Sequence, residues 1–240
     1  EIDRVYLIVF PGQAVLDTIL ALELERGAPG ALIFAHHPAD FEESKRGFLG
    51  ISEEQLEALR MVPGLRVIRP ANGREVKLAW QAAVKEREKP TALVMARQET
   101  ESYDKKIKEE EFNRGAFVVS EEKGAEIALI ASGTEVETAL KVKELLKNEY
   151  KIRVISAPEK EKLYYDKEYR DQLFRGVKFK AAVEAGVPSA WYRILKGDSM
   201  VFGVEDFGYS ADGDKIAAEF GLTAEKIAEK IKEKLNLISF

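Results

Sequence analysis

Polar residues that are suited to ligand binding stand directly after two of the apolar runs that this sequence predicts to be strands. His36 and His37, the two histidines of the chain, follow the run Ala31–Ala35. Arg97 follows the run Thr91–Ala96. Ligands of parallel α/β sheets bind beyond the carboxyl ends of the strands, where an imidazole can donate a hydrogen bond and a guanidinium can grip a phosphate. Position alone does not decide between these roles and two simpler alternatives. The histidines could lie in an ordinary loop, and Arg97 could pair with a neighbouring acidic side chain.

The other polar motifs are better explained by local structure than by chemistry. Ser132-Gly133-Thr134 presents backbone N–H groups at a predicted helix start, but it is much shorter than a phosphate loop, and we interpret it as a helix cap. Asp212-Gly213-Asp214 lacks the EF-hand register and predicts a turn. The two histidines and the acidic residues after them have no recognised metal-ligand spacing, so we expect no metal site from them.

The elements that position these residues are predicted from apolar periodicity. In the first part of the chain, short apolar runs alternate with stretches of helical period, which is typical of a parallel sheet covered by helices. The predicted strands are Val5–Phe10, Ala31–Ala35, Leu65–Ile68 and Thr91–Ala96, and the predicted helices are Ala14–Glu25, a short helix from Ser52 to Arg60, and Val76–Lys85.

A charged run, Asp104–Glu111, separates this part from a second alternation, and it predicts a solvated linker or an exposed helix. In the second part, Thr134 and Glu137 have the spacing of a capping box at the start of a helix that ends at Leu146. Thr223 begins a final amphipathic helix. The predicted strands of this part are Ala116–Val119, Glu126–Ala131, Ile152–Ser156, Lys178–Glu184 and Met200–Val204.

Composition restricts the classes to which the protein can belong. Hydrophobic residues make up 45% and charged residues 33% of the 240 residues, as in a folded protein. The formal net charge of -5 does not favour nucleic acid, and no stretch approaches the roughly 20 consecutive apolar residues of a membrane span. The absence of cysteine excludes disulfides, thiolate metal sites and cysteine nucleophiles. It also fits a reducing compartment, and we expect a cytoplasmic protein.

From Pro63 onwards, the chain carries short motifs in a fixed order and spacing. They are Pro63–Ala71, Pro90–Gln98, Arg114–Val119, Ile130–Val136, Arg153–Pro158, Ala182–Gly186, Phe207–Ala211 and Phe220–Thr223. The series resembles the C-terminal part of transketolases, and it is the order of the motifs that carries the resemblance. It implies an α/β fold of two three-layer domains with mainly parallel sheets. Residues 1–98 would form a truncated pyrimidine-binding-like domain, 99–114 a linker, and 115–240 a transketolase C-terminal-like domain.

The resemblance also implies roles for residues in the first part. Val5–Phe10 looks like the family's strand that ends in an aromatic cluster around the aminopyrimidine of thiamine diphosphate, and Phe10 is the one member of that cluster found here. Phe34–His37 looks like the family's strand that ends in Thr-His-Asp. This implies that His36 binds substrate phosphate, with Arg97 as its partner. The resemblance implies no catalytic residue in this chain.

Departures from the family pattern limit what the chain can do alone. Pro38–Gly50 replaces the family's glycine-rich acidic loop, and no histidine follows it. The family's activating glutamate and its diphosphate-binding domain, with the metal ligands, have no counterpart in the sequence. Because the organic step belongs to the cofactor, we expect the isolated chain to be inactive. Thiamine diphosphate and Mg²⁺ are implied only if a partner completes the site.

Three functions stay open at this point. The first is a transketolase-like C-terminal fragment or subunit that helps to transfer ketol units between sugar phosphates, either as a homodimer or with a complementary N-terminal transketolase half. The alternative is a non-catalytic scaffold or oligomerisation protein, engineered or degenerate, which is favoured by the rewritten loop and by a start at Glu1 rather than Met. The third is a phosphate-binding module that uses His36 and Arg97. No nucleic acid or membrane partner is expected.

Overall fold

The computed structural model describes residues 4–8, 31–35, 59–60, 62–96, 100–205 and 213–237. The strands are Arg4–Ile8 (β1), Ala31–Ala35 (β2), Arg66–Ile68 (β3), Thr91–Leu93 (β4), Phe117–Ser120 (β5), Ile127–Ala131 (β6), Ile152–Ser156 (β7), Phe179–Val183 (β8) and Ser199–Phe202 (β9). The helices are Gly73–Lys85 (α1), Glu109–Phe112 (α2), Glu135–Leu146 (α3), Lys162–Tyr165 (α4), Lys167–Leu173 (α5), Ser189–Tyr192 (α6), Gly213–Glu219 (α7) and Ala224–Leu237 (α8).

The first sheet has the strand order β1-β2-β4-β3, and all its pairs are parallel. Helix α1 begins where Asn72 takes an extended conformation and its side chain accepts from the N–H groups of Arg74 and Glu75. The helix then packs through small side chains, because Ala79, Ala82 and Ala83 are at most 5% exposed and belong to the same core as Ile68 and Leu93 of the sheet.

The second sheet has the order β5-β7-β6-β8-β9, in which β5 is antiparallel to β7 and the other pairs are parallel. Its central strand, β6, has the sequence IALIA and is buried at every position. A continuous apolar run is the pattern of a parallel strand that is covered on both faces. Glu126–Ala131 was predicted from that pattern, and β6 confirms it.

Helices cover both faces of the second sheet. Side chains alternate across β6, so that Ile127 and Leu129 belong to the core that also contains the buried faces of α3 and α8. Ala128 and Ile130 belong to the core on the other face, with Trp191 of α6. The predicted α/β fold with mainly parallel sheets is therefore confirmed. No helix among the described residues is long and apolar enough to cross a bilayer.

The capping box predicted at the start of α3 is wrong. Thr134 has φ -59° and ψ -26°, a helical conformation, and its side chain makes no cap hydrogen bond. A capping box needs an extended N-cap residue. The Thr134 Oγ1 hydroxyl instead donates to Glu135 Oε1 at 2.7 Å, and Glu137 Oε1 accepts from Lys141 Nζ at 2.7 Å. The strand predicted over Thr91–Ala96 also ends earlier, as the bounds of β4 show.

The charged run Asp104–Glu111 lies against the second sheet. Lys105 Nζ donates to Glu111 Oε1 and to the carbonyl oxygen of Val118, each at 2.5 Å. Ile107 packs against the core, which includes Phe112 at the end of α2. The connection between the two sheets is therefore docked through alternate residues, while its other side chains face solvent.

Candidate functional site

The site residues predicted for the first part follow strands whose carboxyl ends lie side by side. β1 is paired in parallel with β2 along its length, and β2 is paired in parallel with β4. His36 is the residue after β2, and Phe10 and Arg97 follow β1 and β4 after short intervals. All three residues lie outside the described residues, so the roles of Phe10, His36 and Arg97 stay predictions.

The described part of the chain shows a different cluster of charged residues, at the carboxyl edge of the second sheet. The chain leaves β6 for β7 on one side of the sheet and leaves β8 for β9 on the other. The ends of β6 and β8 therefore flank the topological switch point, where open α/β sheets bind ligands. Ser132 follows β6 and Glu184 follows β8, and both are at most 1% exposed. We call the space bounded by Ser132, Gly133, Glu135 and Glu184 the switch-point crevice.

Arg69, which follows β3 of the first sheet, extends into the switch-point crevice of the second. Its Nη1 donates to Glu135 Oε2 at 2.5 Å, to Glu184 Oε1 at 2.6 Å and to the carbonyl oxygen of Ser132 at 3.0 Å. The Arg69 side chain is 12% exposed. A guanidinium from the first sheet thus occupies the place where a domain of this architecture would hold a ligand.

The backbone around Arg69 fixes the depth at which its side chain enters. The Arg69 N–H donates to the Pro158 carbonyl oxygen at 2.8 Å, and the Gly133 N–H donates to the Arg69 carbonyl oxygen at 3.1 Å. Gly133 has φ +61°, and a Cβ there would lie 2.7 Å from Arg69 Nε. Glycine is needed both for the left-handed backbone and for the close approach of the guanidinium.

Glu184 is a buried carboxylate that accepts hydrogen bonds from two positively charged side chains and one neutral ring N–H. Besides Arg69, it accepts from Lys160 Nζ at 3.0 Å and from Trp191 Nε1 at 3.0 Å. Burial by itself raises the pKa of Glu184, but the charges of Lys160, Arg69 and Arg60 outweigh burial and lower the pKa to about 2. Lys160 is also fully buried, and its ammonium lies 4.7 Å from the centre of the Trp191 ring.

Glu75, on α1, is a second buried carboxylate at the junction between the two sheets, and its hydrogen-bond partners are neutral. Its Oε2 accepts from the Ala71 N–H at 2.9 Å, and its Oε1 accepts from Ser156 Oγ at 2.7 Å and from the Tyr103 hydroxyl. Burial raises the pKa of Glu75, and the three hydrogen bonds lower it only in part. The carboxyl group therefore joins the first sheet's helix, the connecting segment and the end of β7.

Two further arginines of the first part bind acidic residues in the loop after β7. Arg66 donates from Nε and Nη2 to the two carboxylate oxygens of Glu159, at 3.0 and 2.8 Å. Arg60 Nε lies 2.8 Å from Glu161 Oε1. Together with Arg69, these pairs close the carboxyl edge of the second sheet with residues of the first part. Such an arrangement holds two domains in one orientation, and its charged groups are mutually paired.

Other described surfaces offer less for chemistry. A groove of about 470 Å³ lies between the connecting segment and α3, with Tyr103, Leu140 and Leu145 among its lining residues. Its charged rim consists largely of pairs along α3 itself, Glu137 with Lys141 and Glu144 with Lys147. Among the residues for which the structure gives a placement, no group of three or more His, Asp or Glu side chains is arranged to hold a metal ion.

Comparison with known proteins assigns the family. Residues 33–102 match the model described as "Transketolase, pyrimidine binding domain", and residues 115–223 match "Transketolase-like TK C-terminal domain". The transketolase of Aquifex aeolicus is 38% identical over 188 residues, which are 75% of this chain and 27% of that protein. The chain belongs to the transketolase family.

Solved structures agree with this assignment. Transketolase from Leishmania mexicana aligns with a TM-score of 0.74 at 28% identity, over 86% of this chain and 30% of that one. A structure named "Split gene transketolase, inactive beta4 tetramer" aligns with a TM-score of 0.70 over 98% of this chain and 76% of that one. At 19% identity, this match shows a shared fold and nothing more. The chain spans less than a third of the length of the Aquifex transketolase.

The charged junction of this transketolase-family chain was missed in the sequence. Arg69 and Glu184 are 115 residues apart, and each is a single charged residue at the end of an apolar run. Ser132-Gly133-Thr134 was interpreted as a helix cap, whereas Ser132 and Gly133 contact Arg69. The available signal was an acidic residue next to a fully apolar strand end, since an acidic side chain is rarely buried without a partner.

Proposed function

We propose that this chain takes part in thiamine-diphosphate-dependent ketol transfer between sugar phosphates, together with a partner that supplies the diphosphate-binding half. The observation that carries the proposal is the pair of family matches, one to the pyrimidine-binding domain and one to the C-terminal domain. The matched part makes up only 27% of the Aquifex transketolase. A cofactor bound between two domains is held only when both are present, so the proposed activity needs the diphosphate-binding half as well.

In this proposal the first domain, residues 1–98, contacts substrate and cofactor. His36 and Arg97 bind the substrate phosphate, and Phe10 contacts the aminopyrimidine. The parallel pairing of β1, β2 and β4 supports this assignment, because it brings together the strand ends from which these residues follow. The domain at 115–240, joined through the linker at 99–114, supports the first, and its closed carboxyl edge argues for a structural contribution.

The residues that the structure describes do not by themselves fit the metal-diphosphate part of the cofactor. No acidic or histidine cluster suited to a metal ion occurs within the described ranges. Of the acidic groups of the junction, Glu135 and Glu184 already pair with Arg69, and Glu184 also pairs with Lys160. The proposal therefore assigns Mg²⁺ and the diphosphate to the partner, and it derives no reaction step from this chain.

The partner in this proposal is a complementary N-terminal transketolase half, and the complete assembly would contain two copies of each chain. Support comes from the neighbour whose title calls it a split-gene transketolase, of which this chain covers 76%. Transketolases are dimeric, and a homodimer of the present chain would form the centre of the assembly. A cytoplasmic location is part of the same proposal.

The test is a ketol-transfer assay of the chain alone and with a separately produced N-terminal transketolase half, thiamine diphosphate and Mg²⁺. Activity is expected only from the combination. Arg97→Ala and His36→Ala should raise the KM for phosphorylated substrates, whereas Arg87→Ala, at an exposed position of the first domain, should not. Activity of the chain alone would contradict the need for a partner.

The two other functions predict different results for the isolated chain. A non-catalytic scaffold would bind neither the cofactor nor the N-terminal half in calorimetry and would stay inactive in the combination. A phosphate-binding module would bind a sugar phosphate without cofactor and would lose that binding in Arg97→Ala.

A further inference from the structure

We propose that the switch-point crevice of the second domain is a guanidinium-binding site, and that Arg69 of the first domain is its built-in ligand. The crevice lies where open α/β sheets bind small molecules, between the carboxyl ends of β6 and β8. In this chain a side chain from another domain fills it. The second domain thus recognises the first by the same kind of interaction that other domains of its architecture use for ligands.

The carboxylates of the crevice favour a cation as its occupant. Glu135 and Glu184 contribute two negative charges, and Lys160, 3.0 Å from Glu184, contributes one positive charge. The neighbouring Arg60–Glu161 pair is neutral as a unit. A cation in the crevice is therefore stabilised by two carboxylates at once.

The crevice contacts the guanidinium in two ways, through acceptors around one terminal nitrogen and through open space beside Nε and Cζ. Three acceptors from different positions of the chain converge on Arg69 Nη1: Glu135 Oε2, Glu184 Oε1 and the Ser132 carbonyl oxygen. Gly133 leaves room for the rest of the guanidinium group, since a Cβ there would lie within 2.8 Å of Arg69 Nε and Cζ. An ammonium could replace Nη1 but would leave the space beside Gly133 unfilled, so it would fit the crevice less well.

Occupation of the crevice couples the two domains. The Arg69 backbone is bonded to Pro158 and to Gly133 of the second domain, so that the guanidinium cannot leave without loosening these bonds. Without a guanidinium, Glu184 Oε1 and Glu135 Oε2 each lose their short contact while they remain largely buried. Seating of Arg69 is therefore required for the second sheet to keep its carboxyl edge closed.

Chemical rescue in the full chain tests the proposal. Arg69→Ala should lower the Tm on the order of 10 °C, because it removes the cation that the buried carboxylates of Glu135 and Glu184 share. Ethylguanidinium at tens of millimolar, far below the molar range in which guanidinium denatures proteins, should then raise the Tm of Arg69→Ala by several degrees in a saturable manner. The wild-type chain should show no such rise, since its crevice is filled.

Two controls separate a site from a general salt effect. Ethylammonium at the same concentration carries the charge without the planar group that fills the space beside Gly133, and it should restore clearly less. Arg114→Ala removes an arginine whose pair with Asp166 is almost half exposed, and its Tm should not respond to ethylguanidinium. Equal shifts in all variants, or no saturable shift in Arg69→Ala, would overturn the proposal.

A second variant keeps the proposal testable if Arg69→Ala does not fold. Arg69→Gln leaves a planar amide donor in the crevice without the charge. Glu135→Gln should lower the Tm of the wild-type chain, and it should lower the Tm of Arg69→Gln much less, because the carboxylate there has lost its cation. Additive losses would mean that the two side chains do not form one site.

Discussion

The junction between the two domains contains two buried glutamates in opposite electrostatic environments. Glu184 is 1% exposed and is surrounded by Lys160, Arg69 and Trp191. Glu75 is 0% exposed, and its carboxylate accepts hydrogen bonds from a backbone N–H and two hydroxyl groups. The pKa of the first is lowered and the pKa of the second is raised.

The difference shows that burial alone does not decide the charge of a carboxyl group. Burial raises the pKa in both cases, and in Glu184 the neighbouring positive charges reverse the result. Glu184 contributes to stability as an anion, whereas Glu75 is most favourable when it is protonated. The two halves of one interface should therefore respond in opposite directions to the same change of residue or of pH.

The largest effect should follow from Glu184→Gln. The substitution keeps the shape of the side chain but removes the negative charge that lies 3.0 Å from the fully buried Lys160 ammonium, so we expect a loss of about 3–5 kcal/mol in the free energy of unfolding at neutral pH. Chemical denaturation of the full chain measures it. Lys160→Met in the same chain should recover much of the loss. If both single and double variants are equally unstable, the pairing of these charges is not what holds the edge.

Acidification should reproduce the loss of the Glu184 charge in the wild-type chain. The pKa of Glu184 is lowered from 4.5 in the unfolded chain to about 2 in the folded chain. Its contribution to the free energy of unfolding is therefore complete above pH 4.5 and is lost as the pH falls toward the folded-state pKa. The expected contribution is about 3 kcal/mol between about pH 6 and pH 2. Unfolding free energies of wild type and Glu184→Gln should converge at the acidic end, and parallel curves would contradict the assignment.

Glu75→Gln should act in the opposite direction. The folded pKa lies above the unfolded value of 4.5, so the contribution of this group is complete below that value and is lost as the pH rises through the folded pKa. The amide can accept from the Ala71 N–H and donate to the hydroxyls of Ser156 and Tyr103, which rotate to suit. We expect the variant to match wild type near pH 4 and to exceed it on the order of 1–3 kcal/mol near pH 8. A loss of stability at both pH values would mean that the glutamate is needed as an anion.

The elements on both sides of this junction could be predicted, because each depends on a local pattern. Strand Ile152–Ser156 was predicted with its observed bounds. The final helix was predicted to be amphipathic from Thr223 onwards, and it buries one face that includes Ile227, Ile231 and Leu235. The order of short motifs then assigned the family. Local reasoning was wrong at Thr134, where the capping pattern is present but the residue is already helical.

The junction itself could not be predicted from these patterns. Arg69 meets Glu184 only because the β3 end of one sheet docks on the β6 and β8 ends of the other, and nothing in the periodicity of either segment encodes that approach. The predicted binding residues Phe10, His36 and Arg97 came from the family resemblance, and their positions lie outside the described residues. Pairing between single charged residues that are far apart in sequence is set by tertiary structure, so it can be identified only from the structure.

The smallest expected effect, and the most specific one, is that of Tyr103→Phe. The variant removes one hydroxyl donor from Glu75 and leaves the ring in place, so the free energy of unfolding should fall by about 1 kcal/mol. The lost hydrogen bond is one that lowers the pKa of Glu75, and the loss should therefore be greater at alkaline than at acidic pH. In the Glu75→Gln background this pH dependence should vanish. A loss that is the same at every pH in both backgrounds would show that Tyr103 stabilises the junction by packing alone.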